Sequence, residues 1–203
     1  MKLYGAPNPA PNPRRVRIFI AEKGIDLPET PLDLRAREHK GDAHRARNSL
    51  GQVPTLELDD GTMLSETVSI CRYLEALHPA PNLFGETPLE DAQIDMWVRR
   101  IEFQLTIPAG MFWRHAHPLT ARLLEQHKEF GESNRDLYAR AARWLDRELA
   151  ARQWIAGDRF TIADITALTT IDFADWIGLK PPEEAHNLRA WHERASARPS
   201  AKV

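Results

Sequence analysis

The chain has 203 residues, of which 42% are hydrophobic and 28% are charged. These proportions are ordinary for a folded protein and exclude wholesale disorder, and the length suits one or two domains. The formal charge of −2 argues against a protein that mainly binds the phosphate backbone of nucleic acid. Because the apolar stretches are far shorter than the roughly 20 residues needed to cross a bilayer, we predict no membrane partner.

Cysteine usage and the start of the chain indicate a reducing compartment. Cys71 is the single cysteine, which excludes an internal disulfide and any CxxC redox or zinc motif. No apolar signal segment precedes the first strand-like pattern. We therefore expect a soluble, cytoplasmic protein.

Strand and helix patterns alternate in the first part of the chain. In order, they predict a strand at Lys2–Tyr4, a helix at Arg14–Lys23, a strand at Leu56–Leu58, a hairpin turn at Asp59-Asp60-Gly61, a partner strand from Met63-Leu64, and a helix at Val68–Leu77. Strands interleaved with helices over so short a span predict a small α/β domain with a mixed sheet, which we place at residues 1–78.

The composition changes over residues 79–88, which are rich in Pro, Asn, Gly and Thr and are interpreted as a linker. All later patterns are helical, the strongest being Leu89–Met111 and Leu137–Leu149, and Pro108 is expected to kink the first of these. Residues 89–203 are therefore predicted to form a separate all-helical bundle.

A proline enters a predicted strand at Gln52-Val53-Pro54-Thr55. A cis peptide before Pro54 would turn the backbone of Val53 outward, where it could pair with an extended peptide. The alternative, which the tetrapeptide alone favours, is an ordinary trans proline at the start of a strand.

The segment Ser65-Glu66-Thr67 stands between the hairpin and the next helix. Backbone N–H groups at a helix N-terminus attract a carboxylate, and Glu66 would suit an ammonium group, so the segment could hold the head of an amino acid. Plain N-capping by Ser65 or Thr67 explains the same residues equally well.

The order of these motifs resembles the cytosolic glutathione transferases, bacterial type. The resemblance rests on the following segments: Asn48-Ser49-Leu50-Gly51-Gln52-Val53-Pro54-Thr55-Leu56, the Asp-Gly hairpin, Ser65-Glu66-Thr67, Ile70-Cys71-Arg72-Tyr73-Leu74-Glu75, Thr161-Ile162-Ala163-Asp164, and a final helix with Trp191 that ends in Arg198-Pro199-Ser200. No single motif is specific, but their ordered combination covers nearly the whole chain.

This resemblance implies a thioredoxin-like N-terminal domain with a mixed four-stranded sheet, and a C-terminal helical bundle. Val53, before a cis Pro54, would pair with the cysteinyl backbone of glutathione, and Glu66 and Thr67 would hold its γ-glutamyl head. For the glycyl carboxylate three candidates remain open, which are His39, Lys40 and Gln52. The neighbouring Arg35, Arg37 and His44 are interpreted as a solvated face.

The residue that activates the thiol departs from the family pattern. Aligning on Arg14-Arg15-Val16-Arg17 places the usual Ser or Cys at Ala10, which has neither hydroxyl nor thiol. Tyr4 is expected to pack in the sheet. Asn12 is then the candidate for stabilising the thiolate, with Asn8 of the duplicated Ala-Pro-Asn-Pro tetrapeptide as an alternative. A role for Asn12 as the N-cap of a helix beginning near Pro13 is equally open.

Several other residues are assigned by type. Cys71 is expected to be a buried structural cysteine, and Thr161 and Asp164 a capping box. His115 and His117 are two residues apart, so they do not predict a metal site. Candidates for the wall of a pocket for the second substrate are Met111, Phe112, Trp113 and His115.

The leading hypothesis is a glutathione transferase that uses glutathione as co-substrate, without a metal, and directs its thiolate at an apolar electrophile. One alternative is a glutathione-dependent disulfide reductase or peroxidase. Another is a non-catalytic interaction protein of the same fold, such as stringent starvation protein A. The resemblance also implies a homodimer.

Overall fold

The computed structural model describes residues 1–203, which divide into two compact units. Unit 1 comprises Met1–Leu83 together with Lys202–Val203, and unit 2 comprises Phe84–Ala201. Unit 1 contains all four strands, and unit 2 is helical.

The elements of unit 1 follow the predicted alternation of strands and helices. They are β1 (Lys2–Gly5), α1 (Pro11–Lys23), β2 (Glu29–Pro31), the short α2 (Asp42–Arg45), β3 (Thr55–Glu57), β4 (Met63–Ser65) and α3 (Thr67–Leu77), with a 3₁₀ turn at Glu38–Lys40 before α2. β2 was not among the strands that periodicity predicted.

The four strands form one mixed sheet in the order β2-β1-β3-β4. β1 runs parallel to β2, with Gly5 opposite Pro31, and antiparallel to β3, with Tyr4 opposite Thr55. β3 and β4 are antiparallel, with Thr55 opposite Ser65. This arrangement confirms the predicted thioredoxin-like domain.

The core of unit 1 includes the apolar faces of α1 and α3. Val16 and Phe19 of α1 and Ile70 and Leu74 of α3 are fully buried. Cys71 lies among them with no exposed surface, and burial raises the pKa of its thiol far above the ordinary value. The prediction of a structural cysteine is confirmed, since a thiol that stays protonated is a poor nucleophile.

A buried ion pair lies at the C-terminal end of α3 and connects it to α1 and to the segment that follows α3. Lys23 Nζ lies 2.6 Å from a carboxylate oxygen of Glu75 and also donates to the carbonyl of His78 at 2.8 Å. Glu75 accepts in addition from the backbone N–H of Leu83. Because the charges are paired and hydrogen-bonded, they can be buried where isolated charges could not.

Unit 2 contains α4 (Pro88–Ile101), a π-helical turn (Glu102–Thr106), α5 (Ile107–His115), α6 (Lys128–Leu149), α7 (Ile162–Trp176) and α8 (His186–Ser196), with 3₁₀ turns at Pro118–Thr120 and at Pro199–Lys202, the last residue of which belongs to unit 1. The helical bundle is thus as predicted. No helix has both the length and the apolar character required to cross a bilayer.

The predicted helix at Leu89–Met111 is interrupted before Pro108. A proline cannot donate to the carbonyl four residues earlier, and its ring clashes with that carbonyl. The hydrogen-bonding pattern changes just before the proline, where the N–H of Ile107 donates to the carbonyl of Glu102, five residues earlier. The irregularity caused by Pro108 therefore lies over Glu102–Thr106.

Candidate functional site

The turn after β1 leads directly into α1. The helix begins at Pro11, and Ala10 is its N-cap with no side-chain capping bond. The expectation that Asn12 caps a helix beginning near Pro13 is wrong, because Pro11 already supplies the helical φ at the first position. Asn12 is instead the second residue of the helix.

Asn12 presents two kinds of free donor at the N-terminus of α1. Its side chain is exposed and makes no hydrogen bond. Its backbone N–H is unpaired as well, and since Pro11 and Pro13 lack an N–H, it is the one backbone donor among the first three residues of the helix. Both donors lie where the helix dipole favours negative charge.

The side chain of Asn8 is committed to structural contacts. Its amide oxygen accepts from Arg17 at 2.7 Å, and its amide nitrogen donates to the carbonyl of Val203 at 3.3 Å. Arg17 also bonds to the carbonyl of Ala6 at 2.9 Å. Asn8 therefore fixes the shape of the turn, and Asn12 has the unengaged amide.

Tyr4 packs in the sheet, as expected. Only 6% of the residue is exposed, and its hydroxyl donates to Glu57 at 2.7 Å. Glu57 is paired with Lys2 in the sheet, so the hydroxyl points toward the start of β1, away from the turn. A surface depression of about 390 Å³ lined by these three residues belongs to that opposite end.

The bond between Val53 and Pro54 is cis. This confirms the expectation from the family resemblance, and the trans proline favoured by the tetrapeptide alone is wrong. Val53 is half-buried, and neither its backbone N–H nor its C=O has a partner within the chain. An extended peptide could pair with both groups.

The carbonyl that precedes Val53 is held from inside the domain. His44 Nε2 lies 2.8 Å from the oxygen of Gln52, and Asn48 Nδ2 lies 3.0 Å from it. The interpretation of His44 as part of a solvated face is wrong, since only 2% of the residue is exposed. The spacing of His44 and Asn48, one helical turn apart, is a signal that could have placed them on one face.

The three candidates for a glycyl carboxylate differ in their surroundings. Lys40 Nζ donates to the carbonyl of Leu50 at 3.1 Å. His39 has a buried Nδ1 without a partner, and burial, reinforced by Lys40, lowers the pKa of its ring. The side chain of Gln52 is exposed and makes no hydrogen bond, although its carbonyl is engaged.

Glu66 is the N-cap of α3 and has an unusual backbone. Its φ is 67° and its ψ is 122°, a conformation that side-chain-bearing residues rarely adopt. Its carboxylate is exposed and has no partner. The helix has no side-chain capping bond, so plain capping by Ser65 or Thr67 does not explain this segment.

The hydroxyl of Thr67 is held by a hydrogen bond from a buried arginine. Arg15 of α1 donates to Thr67 Oγ1 at 2.8 Å, and the exposed fractions of the two residues are 2% and 7%. Because Oγ1 accepts from Arg15, its own hydrogen remains available as a donor to an anion. Thr67 is thereby oriented beside the N-terminal N–H groups of α3.

The register of the sheet brings these segments to one end, which we call the site end. Tyr4 and Ser65 both pair with Thr55, so the turn after β1, the segment before β3 and the segment after β4 are neighbours. The turn after β1 leads to Asn12, the segment before β3 contains Val53, and β4 is followed by Glu66. Two helices, α1 and α3, also start here, and their N-termini favour anionic groups.

The four candidates in unit 2 lie near the end of α5. Phe112 is a core residue with Arg135 stacked over its ring at 4.5 Å, whereas Met111, Trp113 and His115 are half-buried. Trp113 belongs to an aromatic cluster whose other members are His117, Phe173 and Trp176. His115 packs against Phe130 instead, with ring centroids 5.5 Å apart.

No group of three or more His, Cys, Asp or Glu side chains is arranged to hold a metal ion.

Comparison with known proteins gives matches along the whole chain. The family model for the glutathione S-transferase N-terminal domain matches residues 10–77, and the model for the C-terminal domain of that family matches residues 105–199. Glutathione S-transferase 2 of Saccharomyces cerevisiae is 40% identical over 100% of this chain and 88% of its own length.

Solved structures agree with these matches. The crystal structure of Gtt2 from Saccharomyces cerevisiae has a TM-score of 0.95 at 40% identity, covering 100% of this chain and 99% of that one. A glutathione S-transferase domain-containing protein from Marinobacter aquaeolei has a TM-score of 0.92 at 36% identity, covering 98% and 99%. Since these relatives come from a yeast and a bacterium, they support the family but not a bacterial type.

Proposed function

The chain belongs to the glutathione S-transferase family, and from this premise we propose that the site end binds glutathione and that Asn12 stabilises its thiolate. The transferase activity is that of the family. The assignment of individual residues is our proposal. The observation that carries it is the meeting, at one end of the sheet, of unpartnered polar groups on Asn12, Val53 and Glu66.

Each of these groups suits one part of glutathione. The N–H and C=O of Val53 would pair with the cysteinyl backbone, as an added strand does. The carboxylate of Glu66 would bind the ammonium of the γ-glutamyl head, and the hydroxyl of Thr67 with the N-terminus of α3 would bind its carboxylate. For the glycyl carboxylate, the exposed amide of Gln52 is a donor without an existing partner, whereas Lys40 already donates to Leu50 and His39 remains a third candidate.

The chemistry required of Asn12 is modest. A free thiol with a pKa near 8.5 is about 3% ionised at pH 7, and lowering that pKa by two units requires about 2.7 kcal/mol of preferential stabilisation of the thiolate. A hydrogen bond to a charged acceptor supplies about 1.5–3 kcal/mol. The amide of Asn12, its backbone N–H and the dipole of α1 together can supply this amount.

The remaining assignments follow from family membership. Met111, Trp113 and His115, together with the buried Phe112, are proposed to border the site of an apolar electrophile. Unit 2 offers an aromatic surface of this character. A homodimer and a cytoplasmic location are part of the same proposal, the second supported by a lone, fully buried cysteine.

Calorimetry with glutathione tests the proposal directly. We expect saturable heat at micromolar to millimolar glutathione, and turnover of an aryl halide that exceeds turnover of a glutathione mixed disulfide. Faster turnover of the mixed disulfide would favour a disulfide reductase. Absence of heat at millimolar glutathione would contradict the proposed site and favour an interaction protein of the same fold.

The backbone of Glu66 yields a prediction about stability. A side chain held at positive φ costs about 1–3 kcal/mol, and glycine adopts a positive φ at lower cost because it has no Cβ. We therefore expect Glu66→Gly to raise the free energy of unfolding by about 1 kcal/mol in urea titrations while weakening glutathione binding about tenfold or more.

Glu66→Gln is the matched control, because it removes the charge and leaves the backbone strain in place. It is expected to weaken glutathione binding in calorimetry without a gain in stability. If the glycine variant were no more stable than the glutamine variant, the backbone of Glu66 would not be strained.

A further inference from the structure

Three side chains hold the Gln52 oxygen, His44 and Asn48 at short range and Thr55 Oγ1 at 3.4 Å, and they also determine the direction of the neighbouring N–H. The peptide bond between Gln52 and Val53 is trans. In a trans peptide the C=O and the N–H point in opposite directions within one plane. Since His44 and Asn48 draw the oxygen of Gln52 toward the buried side, the N–H of Val53 is directed away from it.

The hydrogen bonds have a defined polarity. A carbonyl oxygen can only accept, so Nε2 of His44 carries the hydrogen, and the amide nitrogen of Asn48 is the second donor. Asn48 is itself fixed, since its amide oxygen accepts from the N–H of Leu50 at 3.1 Å. Donors on a carbonyl polarise the peptide, which makes the N–H of Val53 a stronger donor.

His44 is not the residue that stability alone would select. Its Nδ1 is buried and has no hydrogen-bond partner, and a buried polar atom without a partner destabilises the fold. The ring packs edge-on against Tyr4, with centroids 6.3 Å apart, a contact that an apolar side chain could also make. The gain from the imidazole is its donor to Gln52.

We propose that His44 and Asn48 are positioning residues for glutathione, which aim the N–H of Val53 at the cysteinyl carbonyl of the bound tripeptide. The proposal rests on the proposed function, because it concerns the same site. Neither side chain touches glutathione; each acts through the peptide between Gln52 and Val53. A purely structural role in the loop would instead affect all ligands of the site alike.

The test compares two ligands that differ at the contact in question. S-Methylglutathione has the cysteinyl carbonyl, and its analogue in which a trans alkene replaces the amide between the cysteinyl and glycyl residues lacks that carbonyl but keeps the glycyl carboxylate. His44→Leu removes the donor at similar volume, and His44→Gln restores a donor near the position of Nε2. Affinities are measured by calorimetry, by competition for the weaker ligand, after thermal unfolding has shown that each variant is folded.

We expect His44→Leu to weaken S-methylglutathione binding about tenfold and binding of the alkene analogue less than twofold. His44→Gln is expected to recover most of the loss for S-methylglutathione. Equal weakening of both ligands, or no recovery with glutamine, would overturn the proposal. If His44→Leu does not fold, Asn48→Ala removes a second donor and the same comparison applies.

Failure of the wild-type protein to bind S-methylglutathione would instead contradict the proposed function, and the two failures are therefore distinguishable. The comparison of the two ligands also separates the effect of His44 on binding from the effect of Asn12. Asn12 is assigned to the sulfur, and methylation of the sulfur removes the thiolate from both ligands.

Discussion

Replacing Asn12 with alanine is expected to lower kcat for transfer to an aryl halide by about 10- to 100-fold and to change the affinity for glutathione by less than about threefold. The lost interaction is a hydrogen bond to a charged sulfur, worth about 1.5–3 kcal/mol, and each 1.36 kcal/mol corresponds to about tenfold in rate. Binding is spared because the proposed contacts of the tripeptide backbone and head are made by other residues. The change should therefore appear in the chemistry step.

The thiolate itself provides the decisive measurement. Ultraviolet titration of the glutathione complex reports the pKa of the bound thiol, which is expected to lie below 8.5 in the wild-type protein and to rise in Asn12→Ala. The dipole of α1 and the backbone N–H of residue 12 remain in the variant, so part of the effect persists. Unchanged turnover together with an unchanged thiol pKa would show that Asn12 has no role in activation.

Asn8→Ala is the matched control, since it removes an identical side chain in the same turn. The amide of Asn8 is engaged with Arg17 and Val203, so its loss should lower stability and leave kcat within about threefold. A large loss of kcat in Asn8→Ala with normal kcat in Asn12→Ala would exchange the proposed roles of the two asparagines.

The parts of the fold that periodicity predicted are those in which a buried face repeats. The helices at Arg14–Lys23 and Val68–Leu77 each show an apolar stripe, and both are present with small shifts at the ends. β2 was missed because Glu29–Pro31 is a three-residue edge strand with no fully buried residue. An edge strand tolerates proline and needs no alternation, so its sequence resembles a loop.

The start of α6 also differs from the prediction, and a glycine is the reason. α6 begins at Lys128, well before the predicted Leu137, and Gly131 lies within its first turns. A Cβ at Gly131 would lie 2.7 Å from the backbone nitrogen of Ala116, so this glycine permits a close approach and does not end the helix. A single sequence does not distinguish these two uses of glycine.

In the site too, some residues could be identified from local sequence patterns, and others only from contacts made in the folded chain. Val53, Glu66 and Thr67 could be proposed as glutathione contacts because ordered motifs surround them in the sequence. His44 could not, since its role depends on the return of the chain eight residues later to place the Gln52 carbonyl beside it. Likewise, the choice of Asn12 over Asn8 depends on the contacts of Asn8 with Arg17 and Val203, which no local pattern indicates.

Removing the carboxylate of Asp164 is expected to be strongly destabilising. Asp164 is fully buried, and its capping box with Thr161 at the start of α7 is confirmed. It also accepts from the N–H of Ile155 at 3.0 Å and from the indole of Trp191 at 2.8 Å. One carboxylate thus joins α7, α8 and the segment before them.

Asp164→Ala leaves three buried N–H donors, on Ile155, Thr161 and Trp191, without a partner. Each costs about 1–3 kcal/mol, and with the lost cap we expect a decrease in the free energy of unfolding of about 3–5 kcal/mol in urea titrations. Asp158→Ala is the control, because this aspartate is exposed and its replacement should change stability by less than about 0.5 kcal/mol. A loss at Asp164 no larger than at Asp158 would contradict the role of the network.

The stability contributed by Asp164 should also depend on pH. Burial raises the pKa of Asp164 to about 6 from the ordinary value of 3.8, against the opposing effect of its hydrogen bonds. Between these two values the folded protein holds a proton that the unfolded chain has released, so stability falls as pH rises through this window, by about 1.36 kcal/mol per unit. Asp164→Asn cannot titrate, and it is expected to lose stability relative to the wild-type protein most at pH 4 and least above pH 6. A difference between the two proteins that grows with pH would place the pKa of Asp164 below its ordinary value and would show that the hydrogen bonds outweigh burial.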